Sequence, residues 1–238
     1  MDREKRIPVI TVDGLSGTGK GTLCQRLARR LEWHLLDSGA LYRALAHAAL
    51  QDGVDLDDEA ALAKCASRLR VRFREPRSGS DSIEVIRDGT DVTEAIRSEL
   101  CGGTASRIAA LPGVRAALLS RQRAFRQRPG LVADGRDMGT VVFPDAELKI
   151  FLTASQEERA RRRYKQLKEK GISVSLSELK AAIQERDTRD SQRRASPLTP
   201  ALDAAVIDTT KMRAATVEQR VMGLVQRWLG NFFKNRGQ

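Results

Sequence analysis

Five short apolar runs, alternating with longer stretches of helical periodicity, set the frame of this chain. The first is Pro8 to Val12, almost wholly apolar, as a strand buried on both faces of a parallel sheet should be. Glycines follow, and then Leu23, Leu27 and Leu31 recur four apart, the stripe of an amphipathic helix. A second run, Trp33-His34-Leu35-Leu36, ends in Asp37-Ser38-Gly39 and leads into a helix from Ala40 to about Gln51. Leu131-Val132-Ala133 is the third strand and runs into Asp134-Gly135-Arg136-Asp137. Leu148 to Leu152 and Ala205-Val206-Ile207 complete the set, and a last helix carries Val217, Val221, Leu224 and Trp228 on one stripe. This order predicts an α/β fold, a doubly wound five-stranded parallel sheet whose ligands sit beyond the carboxyl ends of the strands.

The middle of the chain has another texture. Acids from Asp55 to Glu59 open a helix, where they suit its dipole. From Val71 the period drops to two, Ser82 to Arg87 alternates in part, and Asp88-Gly89 signals a hairpin turn. Residues 70 to 93 therefore read as a small antiparallel β insertion. A helical stretch follows from Thr93 to Ser106; Pro112-Gly113 breaks the chain; another helix runs from about Val114 to Arg128, closed by Pro129-Gly130. Ser155 with Glu158, and Ser175 with Glu178, have the spacing of capping boxes.

Chemistry enters at Gly14-Leu15-Ser16-Gly17-Thr18-Gly19-Lys20-Gly21-Thr22, between the first strand and its helix. That is the context a phosphate-binding loop requires. Glycines let backbone N–H groups ring an anion, the helix start adds free amides and a positive dipole end, and Lys20 brings a full charge. The usual pattern has Ser or Thr directly after the lysine; here Gly21 intervenes, which keeps the anion cradle but leaves a direct bond from Thr22 to a metal open. A glycine-rich turn without a ligand is the plainer alternative, and four glycines plus a lysine weigh against it.

Composition narrows the classes. The 238 residues carry a formal charge of +11, so a polyanion is expected as ligand, either nucleic acid or clustered nucleotide phosphates. Aromatics make up only 4% of the chain, few platforms for stacking unpaired bases, which disfavours a binder of single-stranded nucleic acid. Cys24, Cys65 and Cys101 are scattered, and His34 and His47 are the only histidines, too little for a zinc site or a histidine dyad. No apolar run has membrane-spanning length and the first residues do not read as a secretory signal, so a cytoplasmic protein is expected.

Arginines mark the rest. On the helix after Ser175 the stripe Leu179, Ala182, Ile183 continues as Arg186, Asp190, Arg193, so a face that packs inward turns ionic partway along. Cleft-lining arginines need an anion, either a ligand or a structural partner such as Asp190. Arg159, Arg161, Arg162 and Arg163 form a second cluster, either a basic surface helix or a mobile lid that stabilises a phosphoryl group in transfer. Phosphoryl transfer rests on positioning and cationic stabilisation, so a chain without a general-base arrangement can perform it.

Five stretches together resemble the bacterial cytidylate kinases, within the nucleoside monophosphate kinases. They are Gly-Lys-Gly-Thr ending at Thr22, Trp33 to Arg43, Ala133 to Asp145 with its Asp-Gly-Arg-Asp-Met-Gly-Thr core, Lys149 to Leu152, and Glu185-Arg186-Asp187. The resemblance spans nearly the whole chain as one kinase domain of residues 1–238. It implies transfer of the ATP γ-phosphoryl group, with Mg²⁺, to CMP or dCMP, with no nucleic-acid or membrane partner and a monomeric state. By likeness, residues 14 to 22 hold ATP, while Ser38, Arg43, Arg136, Arg186 and Arg193 contact the acceptor's phosphate or sugar, with Asp190 near the ribose. Ser106, Arg115 and Asp137 would read the cytosine edge. Lys20, Arg136, Arg159, Arg163 and Arg186 would carry catalysis, with Arg162 as a further member of a lid at about 155–170. Residues of about 40–110, with the β insertion, would form the acceptor-binding region. Asp134, ending an apolar strand, either positions magnesium through water or caps the turn that follows.

Overall fold

A computed structural model describes residues 6–74, 83–169, 171–193 and 196–234. Five parallel strands form the main sheet: β1 (Val9–Gly14), β2 (His34–Asp37), β6 (Leu131–Asp134), β7 (Leu148–Thr153) and β8 (Ala205–Asp208), in the order β2-β6-β1-β7-β8. β1 is central and wholly buried, which explains its unbroken apolar texture. Its alternate residues feed two layers. Ile10 and Val12 meet Leu23 and Leu27 of α1 (Lys20–Leu31) and Val217, Val221 and Val225 of α8 (Ala214–Lys234). Val9, on the other face, meets Leu36, Leu131, Ala133, Met138 and Phe143. Trp228 closes the first layer edge-on against Trp33, with ring centroids 6.1 Å apart.

A second hydrophobic cluster lies beyond β2. Here α2 (Ser38–Gln51) is buried almost all round, packed with α3 (Glu59–Arg68), α4 (Glu99–Ile108) and α5 (Pro112–Ala124). The expected insertion forms a three-stranded antiparallel sheet of β3 (Val71–Arg74), β4 (Glu84–Arg87) and β5 (Thr90–Asp91). Ser82, expected to open its second strand, lies outside the described residues. The remaining helices are α6 (Gln156–Glu169) and α7 (Leu176–Ser191). Among the described residues no helix is long and apolar enough to cross a membrane.

Four local expectations need correction. The stretch after Thr93 is first a short 3-10 turn at Ala95–Arg97; α4 starts only at Glu99, because the Ser98 side chain caps it by accepting from Cys101 N. Pro112-Gly113 opens α5 rather than breaking the chain, since a first-turn proline loses no helical hydrogen bond. That helix ends at Ala124, short of Arg128, where the Phe125 and Arg126 amides tighten onto Gln122 and Arg123 carbonyls. The box at Ser175 is complete, whereas that at Ser155 is half made: its hydroxyl accepts from Glu158 N, but its own amide goes to Thr210 and Glu158 turns to Arg161 and Arg162.

Candidate active site

Residues 14 to 22 wrap the carboxyl end of β1. Gly14 has φ +141°, and a Cβ there would lie 2.0 Å from the Leu152 carbonyl oxygen, so the neighbouring strand requires glycine. Thr18 Oγ1 donates to the Leu15 carbonyl at 3.0 Å, and Lys20 Nζ donates to the same oxygen at 2.7 Å. Lys20 is buried, and burial, reinforced by Arg136, pushes its ammonium well below the usual lysine range. Asp134 beside it is pushed the other way by its own burial. Asp37 and Asp134 are register partners on β2 and β6, and the negative charge of Asp134 acts on Lys20. Thr22 is exposed at the start of α1.

A cavity of about 300 Å³ opens at this loop and brings together Ser16, Gly17, Gly19, Lys20, Gly21, Thr22, Ser38, Ser106, Arg115, Arg136, Asp137, Arg186, Asp190 and Arg193. Asp190 is buried at its centre and accepts from Arg136 Nε at 2.9 Å and from Arg193. Arg186 and Asp190 of α7 therefore face the cleft, joined by Arg193, which lies past the helix end at Ser191 rather than on the expected stripe, and the apolar half is looser than expected: Leu179 is buried but Ala182 is exposed. Arg186 differs from its neighbours. Its Nε is buried with no hydrogen-bond partner among the described residues, and burial, then repulsion from Arg136, push the guanidinium down to about 9. A cation in that setting awaits an anion.

The far end of the cavity is polar and uncharged overall. Arg115 pairs with the Asp137 carboxylate and also donates to the Ala109 carbonyl at 3.1 Å. Ser106 Oγ does not bond its own helix; it is buried with no partner among the described residues. Tyr42 OH, in the same cavity, is likewise unpartnered, and burial raises its phenol to about 12. Ser38 accepts from buried Gln122 Nε2 at 2.9 Å.

The structure brings most of the sequence-derived residues into one cavity, but not Gly14, Leu15 and Thr18 of the loop, nor Arg43, Arg159 or Arg163. Arg43 and Arg163 line a neighbouring cavity of about 690 Å³ that shares Gly21, Thr22, Asp37, Gly39 and Gln166 with the first. There Arg43 donates to the carbonyls of Ile96 and Ser98, and Arg163 pairs with Glu99. Arg159 is buried against the loop, bonding the Ser16 carbonyl at 3.2 Å and both Asp187 oxygens. Arg162 bridges the Thr18 and Thr209 carbonyls, and Arg161 stays with Glu158. In this state protein carboxylates, not a ligand, supply the anions that four clustered arginines need.

Sequence reasoning passed over Asp13, whose buried carboxylate accepts two backbone amides at 2.8 Å, although an acid ending an apolar strand is the signal that marked Asp37 and Asp134. It also passed over Glu99, Gln122 and Thr209, which have no local signal because their partners are remote in sequence.

A third cavity, of about 460 Å³, lies across Gly19 and Thr22 from the first and is lined by Arg26, Arg161, Lys165 and Arg213 among others. The start of α1 is thus a wall between two basic recesses. The sequence profile of the cytidylate kinase family matches residues 10–227. A cytidylate kinase of Aeromonas salmonicida is 57% identical over 224 residues, covering 94% of this chain and 96% of its own. One from Stutzerimonas stutzeri is 59% identical over 221 residues, covering 93% and 96%. With the loop, the cleft arginines and the sheet order all in place, the chain belongs to the cytidylate kinase family.

Proposed function

We propose that the protein transfers the γ-phosphoryl group of ATP to CMP, and also to dCMP, giving CDP or dCDP and ADP. The carrying observation is Arg186, a half-buried guanidinium whose buried Nε has no partner among the described residues, beside Arg136 and Arg193, with Asp190 the carboxylate among them. Three cations against one carboxylate leave a surplus near +2, the complement of a phosphate monoester dianion.

In this reading the acceptor phosphate lies among Arg136, Arg186 and Arg193, with Arg43 reaching it from the adjoining cavity and Asp190 beside the ribose. Cytosine lies against Ser106, Arg115 and Asp137. The free carboxylate oxygen of Asp137 accepts from the exocyclic amino group, which uracil lacks, and the mismatch costs UMP about 1–3 kcal/mol. Residues 14 to 22 hold the ATP phosphates, Lys20 leaves the Leu15 carbonyl to meet them, and the rest of ATP extends into the recess beside Arg161 and Arg213. An acceptor phosphate oxygen forms a bond to the γ-phosphorus as the bond to the ADP oxygen breaks. Arg159 and Arg163 exchange Asp187 and Glu99 for the phosphoryl oxygens when the lid of about 155–170 closes.

Among the described residues no three metal-ligating side chains come together. That suits Mg²⁺ carried in with ATP, which is held mainly by phosphate and water. Asp37, Asp134 and the Thr22 hydroxyl are the groups that would hold its water shell, and the ion would neutralise charge on the transferred phosphates. The test is ADP release with CMP, dCMP, UMP and AMP as acceptors. CMP and dCMP should turn over far better than UMP or AMP; comparable turnover of UMP would overturn the assignment of Asp137, and turnover of AMP alone would overturn the acceptor class.

A further inference from the structure

Asp13 is the last side chain of β1 before the loop glycines, on the same face as Val9 and Thr11. That face is covered by Met138 and Val142, with Thr11 and Lys149 as buried polar neighbours, and the Asp13 carboxylate is itself buried. Among the described residues no ion pair holds it. Instead Oδ1 accepts from Met138 N and Oδ2 from Gly139 N, each at 2.8 Å. With both oxygens engaged, the carboxylate cannot rotate, and the two amides that directly follow Asp137 are fixed to β1. The turn they begin, Met138–Val142, bonds back on the Asp137 carbonyl through the Val141 and Val142 amides. Gly139 permits the close approach: a Cβ there would lie 2.9 Å from Thr11 Oγ1 and 3.2 Å from the Lys149 side chain. Burial raises the Asp13 carboxyl to about 6, so the anchor is kept at a cost that an apolar residue would avoid.

We propose that Asp13 is a positioning residue for base selection: it ties the Met138 and Gly139 amides to the strand that carries the phosphate loop, and so sets where the Asp137 carboxylate meets the acceptor base. The proposal rests on the reading of Asp137 given above. It makes one residue serve two registers, because the next residue, Gly14, begins the donor loop while Asp13 fixes the acceptor-reading turn.

The test is Asp13→Asn, which keeps the shape but turns an N–H toward one of the two amides. The CMP kcat/KM should fall about 10-fold while that for UMP changes by less than about 2-fold, so the preference shrinks, and the ATP KM should stay within about 2-fold. Gly139→Ala, which lifts the same turn from the strand, should give the same pattern and carries the test if Asp13→Asn does not fold. Equal losses for CMP and UMP, or a parallel rise in the ATP KM, would mark a merely structural role and overturn the proposal. Asp137→Ala is measured alongside. If it leaves the CMP to UMP ratio intact, the base-reading assignment fails and Asp13 falls with it. If it collapses the ratio while Asp13→Asn and Gly139→Ala do not, only the role of Asp13 falls.

Discussion

Arg136 Nε donates to Asp190 Oδ2 at 2.9 Å, while Arg193 takes the other oxygen of the same carboxylate. The pair joins the loop after β6 to α7, across 54 residues of chain. It saturates Asp190 and leaves Arg186, one turn earlier on α7, without a carboxylate of its own. The cleft is therefore preorganised with a positive surplus before any nucleotide arrives, and preorganised charge is what phosphoryl transfer uses most.

Arg186→Met should separate stability from function. Removing a half-buried cation whose Nε has no partner among the described residues, while keeping apolar bulk, should leave the melting temperature unchanged or raise it. The same change should lower the CMP kcat/KM by about 100-fold or more, with little effect on the ATP KM. Thermal melts and steady-state kinetics on one preparation check both halves; a fall in melting temperature with unaltered CMP kinetics would make Arg186 structural.

Ser106→Ala removes a buried hydroxyl that has no partner among the described residues. Such a deletion is nearly neutral or stabilising for the free protein, yet should weaken CMP by about 5- to 10-fold if the hydroxyl bonds cytosine. Calorimetric titration of CMP into both proteins gives the answer. An unchanged affinity would remove Ser106 from the base site.

Lys20→Met should lower turnover by about 1,000-fold while CMP still binds, because Lys20 meets the donor phosphates while Arg136, Arg186 and Arg193 of the same cavity hold the acceptor. Loss of CMP binding to the same degree would make Lys20 an acceptor-binding residue.

Asp13 gives a pH signature. Its carboxyl is raised from 3.8 to about 6 in the folded state, so the native protein holds a proton there that the unfolded chain has released. Its contribution to stability is full below pH 4 and is lost as pH rises through 6. Relative to wild type, Asp13→Asn should therefore gain stability between pH 4 and 7, by up to about 3 kcal/mol. Melts across that range check it, and a difference between the two proteins that does not vary with pH would contradict it.

The sheet was legible because its strands are short, apolar and ended by polar residues, a pattern that local sequence carries by itself. The phosphate loop was legible for the same reason: Gly14 to Thr22 is contiguous. Arg186, Asp190 and Arg193 were found because helical periodicity placed them on one stripe. The start of α4 was misjudged because the Thr93 hydroxyl is tied to Val85 N and Asp91 of the small sheet and only Ser98 caps the helix, bonds that periodicity does not carry. The pairings of Arg159 with Asp187 and Arg163 with Glu99 join residues 28 and 64 positions apart, so nothing near either arginine announces them. Asp13 was within reach, yet the adjacent glycines drew attention to the donor loop and away from the face on which the aspartate lies.

The most direct test of the central claim is a crystal structure with CMP and a non-hydrolysable ATP analogue bound together. The account predicts Arg186 within about 3 Å of a phosphate oxygen of CMP, and the cytosine amino group on Asp137. Arg186 turned away from the phosphate, with cytosine remote from Asp137, would contradict it.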